Sequence, residues 1–176
     1  AGTAIYQAAL NASNGVELKI DNLTMDAYSH VTGANGIAIK TLTSGRPIAV
    51  GGACTDLQPN CLAINNNLAS RFSTSGGPLL IGDISSGGAI DVQGSVAWSS
   101  SFLGLGSAST VKQADAVGIN AMSLGIVAGG EVDLRGPNLS NPNTVSNLAI
   151  SAGANPIGVN ISSGSVTVGA LSGTDP

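Results

Sequence analysis

Apolar and polar residues alternate in short runs along most of the chain. In Val16-Glu17-Leu18-Lys19-Ile20 every second residue is apolar, which is the period of a β-strand that buries one face. Gly, Ser, Asn or Pro bounds each run, and these residues favour turns. The alternation predicts strands over 16–20, 36–40, 89–93, 131–135 and 165–168.

Amphipathic helical periodicity is scarce by comparison. The two best candidates are residues 65–71 and 111–117, and each is too short to make the fold helical. The sequence therefore predicts an all-β protein.

The strands recur as a two-part phrase. An apolar-x-apolar triplet comes first, a turn of small residues follows, and a second strand then opens on Gly or Ser. The triplets are 23–25, 79–81, 122–124 and 148–150, and the second strands are 36–39, 88–92, 130–134 and 164–168. Repetition at about 20 to 25 residues is typical of a solenoid.

A solenoid also explains why the phrase has to repeat. One coil cannot bury its own Ile, Leu and Val side chains, whereas a neighbour about 4.8 Å away supplies a backbone ladder and an apolar column. We expect seven or eight coils in one β-solenoid segment over residues 1–176, cut from a longer chain. A sandwich or closed barrel is the alternative, but aromatic residues make up only 3% of the chain and offer few anchors between sheets.

Residues 51–71 interrupt the phrase. This segment holds the two cysteines, Cys54 and Cys61, and we expect it to be a loop that leaves the solenoid wall. The pair lacks the C-x-x-C spacing and the further ligands of a redox or metal site. A disulfide that clasps the loop fits better than two free thiols, and it would indicate an oxidising compartment and hence an exported protein.

Composition narrows the classes of function. Charged residues make up 9% of the chain, against about 25% in ordinary soluble domains, and the net charge is −4. The few basic residues are too dispersed for the concentrated positive surface that nucleic acid requires. They are Lys19, Lys40, Arg46, Arg71, Lys112 and Arg135. The sequence contains no run of 18 apolar residues that would indicate a membrane span.

Two stretches carry a resemblance to a known family. Residues 62–94 contain Leu62-Ala63-Ile64, then Arg71, then Leu80-Ile81-Gly82 and Ile90-Asp91-Val92-Gln93-Gly94. Residues 122–148 contain Val132-Asp133-Leu134-Arg135-Gly136-Pro137-Asn138 and end on Asn147-Leu148. This order resembles the shaft repeats of filamentous-haemagglutinin-like exoproteins, over roughly residues 15–171.

The resemblance implies a right-handed parallel β-helix in the shaft of a large bacterial exoprotein. Such a protein is exported through a dedicated outer-membrane pore partner and projects from the cell surface. We therefore expect a secreted structural or adhesive segment, not an enzyme, with a host-surface or glycan receptor as a further partner. A self-assembling filament, in which copies stack end to end, is the first alternative.

A carbohydrate-active β-helix is the second alternative. Glu131, Asp133 and Arg135 are spaced by two and would face the same way from one strand, with Asp91 in the equivalent place of an earlier phrase. Clustered carboxylates of this kind can bind cations or act on glycosidic bonds. The simpler interpretation is an outward polar face that alternates with buried Val132 and Leu134.

Other candidate sites are sparse. His30, four residues after Asp26, is the one histidine, and we expect it in a solvent-facing turn because no nucleophile motif accompanies it. We expect no cofactor and no metal site. Of four N-x-S/T sequons, at Asn11, Asn22, Asn138 and Asn160, Asn138 is the candidate for glycosylation because it lies beside a proline-containing turn.

Overall fold

The protein is a parallel β-solenoid of about six stacked coils. The computed structural model describes residues 3–5, 9–55, 58–98, 102–136, 138, 143–162 and 165–169. Within these residues, all strand pairs are parallel, and one short helix accompanies nineteen strands. The predicted all-β solenoid is confirmed.

The strands follow one another around the coils. Coil one contains β1 (Thr3–Ile5), β2 (Ala9–Ala12) and β3 (Val16–Lys19); coil two contains β4 (Leu23–Met25), β5 (His30–Gly33), β6 (Ile37–Lys40) and β7 (Ile48–Gly51). Then come β8 (Leu62–Asn65) and α1 (Asn66–Ala69). Coil three contains β9 (Phe72–Ser73), β10 (Pro78–Asp83) and β11 (Ile90–Val92); coil four contains β12 (Val96–Ala97), β13 (Phe102–Ser107) and β14 (Val111–Gln113). Coil five contains β15 (Ile119–Ala128) and β16 (Val132–Leu134), and coil six contains β17 (Thr144–Ser151) and β18 (Ile157–Val159). The last strand, β19 (Thr167–Val168), pairs onto coil six.

Two long sheets run the length of the described coils. The first has the order β3-β6-β10-β13-β15-β17-β19, with β12 beside the first half of β15, and the second has the order β8-β7-β11-β14-β16-β18. Two smaller sheets, β2-β5-β9 and β1-β4, complete the early coils. Each strand lies on its counterpart in the next coil, so the ladder continues from coil to coil.

The register of the first sheet gives the length of a coil. Leu18 pairs with Ile39, 21 residues later, and Leu105 pairs with Ile126 after the same interval. Ile39 and Ile81 also pair, but across 42 residues, because the interrupting segment lies between them. The predicted period is therefore confirmed, and one step is doubled.

The core is a set of apolar columns inside the coils. Ile39, Ile81, Leu105 and Ile126 are register partners in successive coils, and each is at most 1% exposed. Burial of such side chains contributes about 1.5–3 kcal/mol each relative to exposure. The period-two alternation of the sequence produces these columns because alternate side chains in a strand point to opposite faces.

Two local predictions are wrong. Residues 111–117 do not form a helix: Val111 and Gln113 are both buried in β14, which is the period of a strand. Met122 does not point into the core and is 63% exposed, because β15 changes face there and buries Ala121 and Leu124 instead.

The interrupting segment leaves the coil order as expected, but its second half returns to the wall. Strand β8 pairs with β7 on the side away from coil three, so the chain steps back by one level after the cysteines. Leu62 and Ile64 of this strand are fully buried. The expected short helix forms directly afterwards as α1, where the side-chain oxygen of Asn65 accepts a 3.0 Å hydrogen bond from the Leu68 amide.

The number of coils is smaller than the seven or eight expected. The chain uses the interval between β7 and β9 for the excursion, the returning strand and α1. A count from length alone assigns these residues to an additional coil. The return of β8 to an existing sheet removes that coil.

Candidate functional site

The two cysteines form a disulfide at the start of the excursion. Cys54 and Cys61 are bonded, with their Cα atoms 5.5 Å apart. Cys61 is buried and immediately precedes β8. The bond therefore holds the loop closed at the point where the chain re-enters the second sheet, in agreement with the expected clasp.

A column of alternating charges lies on the outer face of the second sheet. Asp91, Lys112 and Asp133 are register partners in coils three, four and five. A groove of about 450 Å³ separates the first two of these residues from Thr55 of the disulfide loop. The structure thus brings Asp91 and Asp133 onto one face, as the sequence predicted, but with a lysine between them.

Asp133 of this column and the nearby Glu131 each have a cation beside them. Lys112 Nζ lies 3.1 Å from Glu131 Oε2, and Arg135 donates two 2.9 Å hydrogen bonds to the carboxylate of Asp133. The hydrogen bond from Arg135 lowers the pKa of Asp133, and the same contact raises the pKa of Arg135. A general acid at a glycosidic bond needs a raised pKa, so Asp133 suits an ion-paired outer face better than proton transfer.

His30 and Asp26 lie at the connection between β4 and β5. His30 is exposed as predicted, but it is the first residue of β5 and not part of a turn. Asp26 Oδ1 instead accepts hydrogen bonds from the amides of Tyr28 and Ser29 and from the Ser29 hydroxyl. This carboxylate stabilises the turn between β4 and β5.

The candidate glycosylation residue, Asn138, is exposed. Its backbone amide donates a 3.2 Å hydrogen bond to Asp115, and its side-chain nitrogen donates to the same carboxylate. A glycan on Asn138 would be attached through that nitrogen and would disturb this contact. The neighbouring Pro137 and the sequon residues Leu139 and Ser140 lie outside the described residues, and modification of Asn138 stays a prediction.

One ion pair that the sequence did not reveal ties the excursion to coil two. Asp21 is 9% exposed and accepts hydrogen bonds from the amide and hydroxyl of Thr43, which lower its pKa, with a smaller contribution from Arg46. Arg46 Nε lies 3.1 Å from Asp21 Oδ1, although its direction makes it an ionic contact and not a hydrogen bond. Arg46 also donates to the carbonyl of Asn60, next to the disulfide.

A buried network of side-chain amides was also not predicted from the sequence. Gln113 and Asn143 are 5% and 1% exposed, and their side chains exchange two hydrogen bonds of 2.7 and 3.0 Å. Asn143 also donates to the carbonyls of Leu134 and Asn160. Gln113, a polar residue at an inward position after Val111, was the available signal.

The described residues contain neither a candidate metal-binding cluster nor a candidate membrane-spanning helix. No group of three or more His, Cys, Asp or Glu side chains there could hold a metal ion. Among the same residues, no helix is long and apolar enough to cross a bilayer.

The fold and these features define a class: a parallel β-solenoid with a disulfide-clasped excursion and an ion-paired outer face. No family model, curated protein or solved structure matches the chain. The resemblance to filamentous-haemagglutinin-like shafts therefore stays a prediction from the motifs.

Proposed function

We propose that this chain is a structural and adhesive shaft segment of a large, secreted bacterial surface protein, exported through a dedicated outer-membrane pore. The observation that supports this best is the continuous parallel ladder, in which the first sheet crosses every coil from β3 to β19. In such a rod each coil contacts only its neighbours. A rod of this kind can be extended by adding coils and can carry a contact site away from a cell.

Two further features support an extracellular role. The Cys54–Cys61 bond is of a kind that persists in oxidising compartments. The outer charges are largely arranged as local pairs, such as Lys40 with Glu17 at 3.2 Å. A rod with this surface projects from the cell and holds its contact sites apart, and the contacts are made at local sites along its length.

The test uses the cells that produce the protein. Antibodies against the chain should label projections outside unpermeabilised cells in electron microscopy, and deletion of the pore partner should abolish that labelling. Alkylation of intact cells should leave Cys54 and Cys61 unmodified unless a reductant is added. Labelling confined to the cytoplasm, or free thiols in intact cells, would contradict the proposal.

A self-assembling filament is a second candidate, favoured by the apolar side chains of the last strands. Ile157 of β18 is 49% exposed and Val168 of β19 is 79% exposed, and among the described residues both strands are outermost in their sheets. Unpaired strand edges with apolar residues promote association, and head-to-tail contacts can form open filaments.

Negative-stain microscopy over a range of concentrations separates the two candidates. A filament-forming chain should give fibres that a Val168→Lys variant suppresses, because a lysine at a strand edge opposes pairing. The matched control is Met122→Lys, which adds the same charge at an exposed position in the middle of the rod. A monodisperse wild type favours the shaft segment and contradicts self-assembly.

A further inference from the structure

Arg71 differs from the other arginines of the described chain because it has no carboxylate partner there. Arg46 lies beside Asp21 and Arg135 beside Asp133. Arg71 is half-buried, and its one directed side-chain contact, from Nη1, is to the carbonyl oxygen of Ala27. The guanidinium is therefore held in place while part of its fork remains available for an anion.

This guanidinium lines a cavity between β4 and α1. The cavity has a volume of about 410 Å³, and Thr24, Asn65 and Asn67 contribute polar side chains to it. Leu68, which is 7% exposed, forms part of its apolar wall. A volume of this size lies within the usual range of small-ligand pockets.

Hydrogen-bond donors are prominent in the cavity. The side-chain oxygen of Asn65 is used to cap α1, which directs the capacity of its amide toward donation. Asn67 contributes an exposed amide, and Thr24 an exposed hydroxyl. Asp26 also lines the cavity, but its Oδ1 accepts three hydrogen bonds within the turn. The unpaired cation and the amide donors suit a ligand that brings a carboxylate and hydroxyl groups.

An exposed aromatic residue is adjacent in sequence to one of the residues that line this cavity. Tyr28 directly follows Ala27, whose carbonyl holds Arg71, and it is 77% exposed. Aromatic rings provide apolar faces for amphipathic ligands. Two amides and a hydroxyl in the cavity of one guanidinium, with an exposed tyrosine next in sequence to the cavity residue Ala27, fit a sugar ring better than an acidic peptide.

The geometry points to this cavity, the Arg71 pocket, as a binding site for an acidic sugar residue such as a uronate. Arg71 binds the carboxylate, Asn65, Asn67 and Thr24 bind hydroxyls, and Tyr28 contacts the ring. This inference rests on the proposed adhesive function and adds to it the class of glycan that the shaft contacts. A guanidinium–carboxylate pair supplies charge-assisted hydrogen bonds, which are stronger than neutral ones.

The experiment is a titration of the ¹⁵N-labelled chain with D-glucuronate, followed by heteronuclear NMR. We expect saturable shifts in the amides of residues 24–28 and 65–71. D-Glucose, which lacks the carboxylate, should bind at least about tenfold more weakly, since a hydrogen bond to a charged group is worth that factor or more. Acetate keeps the carboxylate but lacks the ring and its hydroxyl groups, so it should also bind more weakly. Equal shifts with glucose or acetate, or stronger binding of an acidic tetrapeptide, would overturn the inference.

Variants test the role of the guanidinium. Arg71→Gln should weaken glucuronate binding about tenfold or more, whereas Lys19→Gln should leave it unchanged. Lys19 is exposed and also makes no ion pair among the described residues, so its substitution makes the same change in net charge. If Arg71→Gln melts at a lower temperature than the wild type, Asn67→Ala provides the second test, because the Asn67 side chain is exposed and only its carbonyl is used, by Ser70.

The result is separable from the proposed function. Surface labelling of cells without glucuronate binding would reject the Arg71 pocket and leave the shaft proposal intact. Binding by a chain that never reaches the surface would reject the shaft. Equal affinities for the wild type and Arg71→Gln would also reject the pocket.

Discussion

Single glycine residues determine how closely the coils approach each other. Gly82 has a φ of +91°, and a Cβ atom placed there would lie 2.0 Å from the carbonyl oxygen of Gly106 in the next coil. Gly45 also has a positive φ, +72°, but a Cβ atom placed there would have no other atom within 4 Å. Glycine is therefore required at position 82 by the positive φ and by the lack of space for a Cβ atom, and at position 45 by the positive φ alone.

This pair gives a direct test of coil packing. Gly82→Ala should lower the free energy of unfolding by about 3 kcal/mol or more, because backbone atoms must move apart. Gly45→Ala should lower it by about 1–2 kcal/mol, the conformational term alone. Urea denaturation followed by circular dichroism measures both, and equal losses would show that the coils are not in close contact at Gly82.

The Asp21 carboxylate links stability to pH. Its hydrogen bonds with Thr43, and then the charge of Arg46, lower its pKa in the folded state. A carboxyl whose folded pKa lies below its unfolded value, near 4, adds stability above that value. That contribution is lost as the pH falls through the folded pKa.

Asp21→Asn should therefore lower the free energy of unfolding by about 1–3 kcal/mol at pH 7. The difference from the wild type should begin to shrink below about pH 4, the unfolded value, and should be lost as the pH falls through the lower folded pKa. Denaturation curves between pH 2 and pH 7 measure the effect, with Asp91→Asn as the control because Asp91 has no ion pair among the described residues. A difference that does not change with pH would contradict the assignment.

At the scale of elements, buried amide side chains connect strands whose relative positions the apolar columns alone would fix only loosely. Asn143 precedes β17, and its side chain reaches Gln113 of β14 and the carbonyl that ends β16 at Leu134. It also accepts a 2.8 Å hydrogen bond from the Ile119 amide at the start of β15. One side chain thus fixes the relative positions of three consecutive coils.

Asn143→Ala should lower the free energy of unfolding by about 3 kcal/mol or more, because it leaves several buried donors and acceptors unpaired. The control is Asn147→Ala on the same strand, where the exposed amide bonds only the Ser123 hydroxyl at 3.2 Å. We expect the control to change stability by no more than about 0.5 kcal/mol. Thermal melts of both variants give the comparison, and similar losses would mean that the network adds little.

At the scale of the whole molecule, the solenoid is quasi-one-dimensional, and its excursion is a local feature. The disulfide and the contact of Arg46 with Asn60 hold the loop beside coil two. Strand β8 is the outermost member of the second sheet at the end opposite to β18. Loss of the clasp should therefore affect this edge before it affects distant coils.

Replacement of both Cys54 and Cys61 by alanine should reduce stability by about 2.5 kcal/mol, the chain-entropy value for a loop of about eight residues. Amide hydrogen exchange should rise in β8 and β7 and stay near wild type in β15 and β17. The reduced wild type should behave like the double variant. Uniform loss of protection along the rod would contradict nearest-neighbour stability.

The sequence by itself indicated the alternating strands such as β3, β6 and β16, the period of the coils and the disulfide. Val16 to Ile20 specify a strand because side chains alternate faces, and the repeat of about 21 to 24 residues specifies the coil because each coil must stack on another. These are local or periodic properties. They can be recognised without knowledge of which residues meet.

Only the tertiary structure decided the backward step of β8, the outward direction of Met122, and the partners of Asp21 and Asn143. Each depends on which neighbouring coil a residue meets, and register partners lie between 14 and 42 residues apart in the chain. The segment 111–117 shows the same limit, because the pattern of so short a segment is compatible with a helix and with a strand. The stacking of coil on coil, which removes this ambiguity, is absent from any local window of sequence.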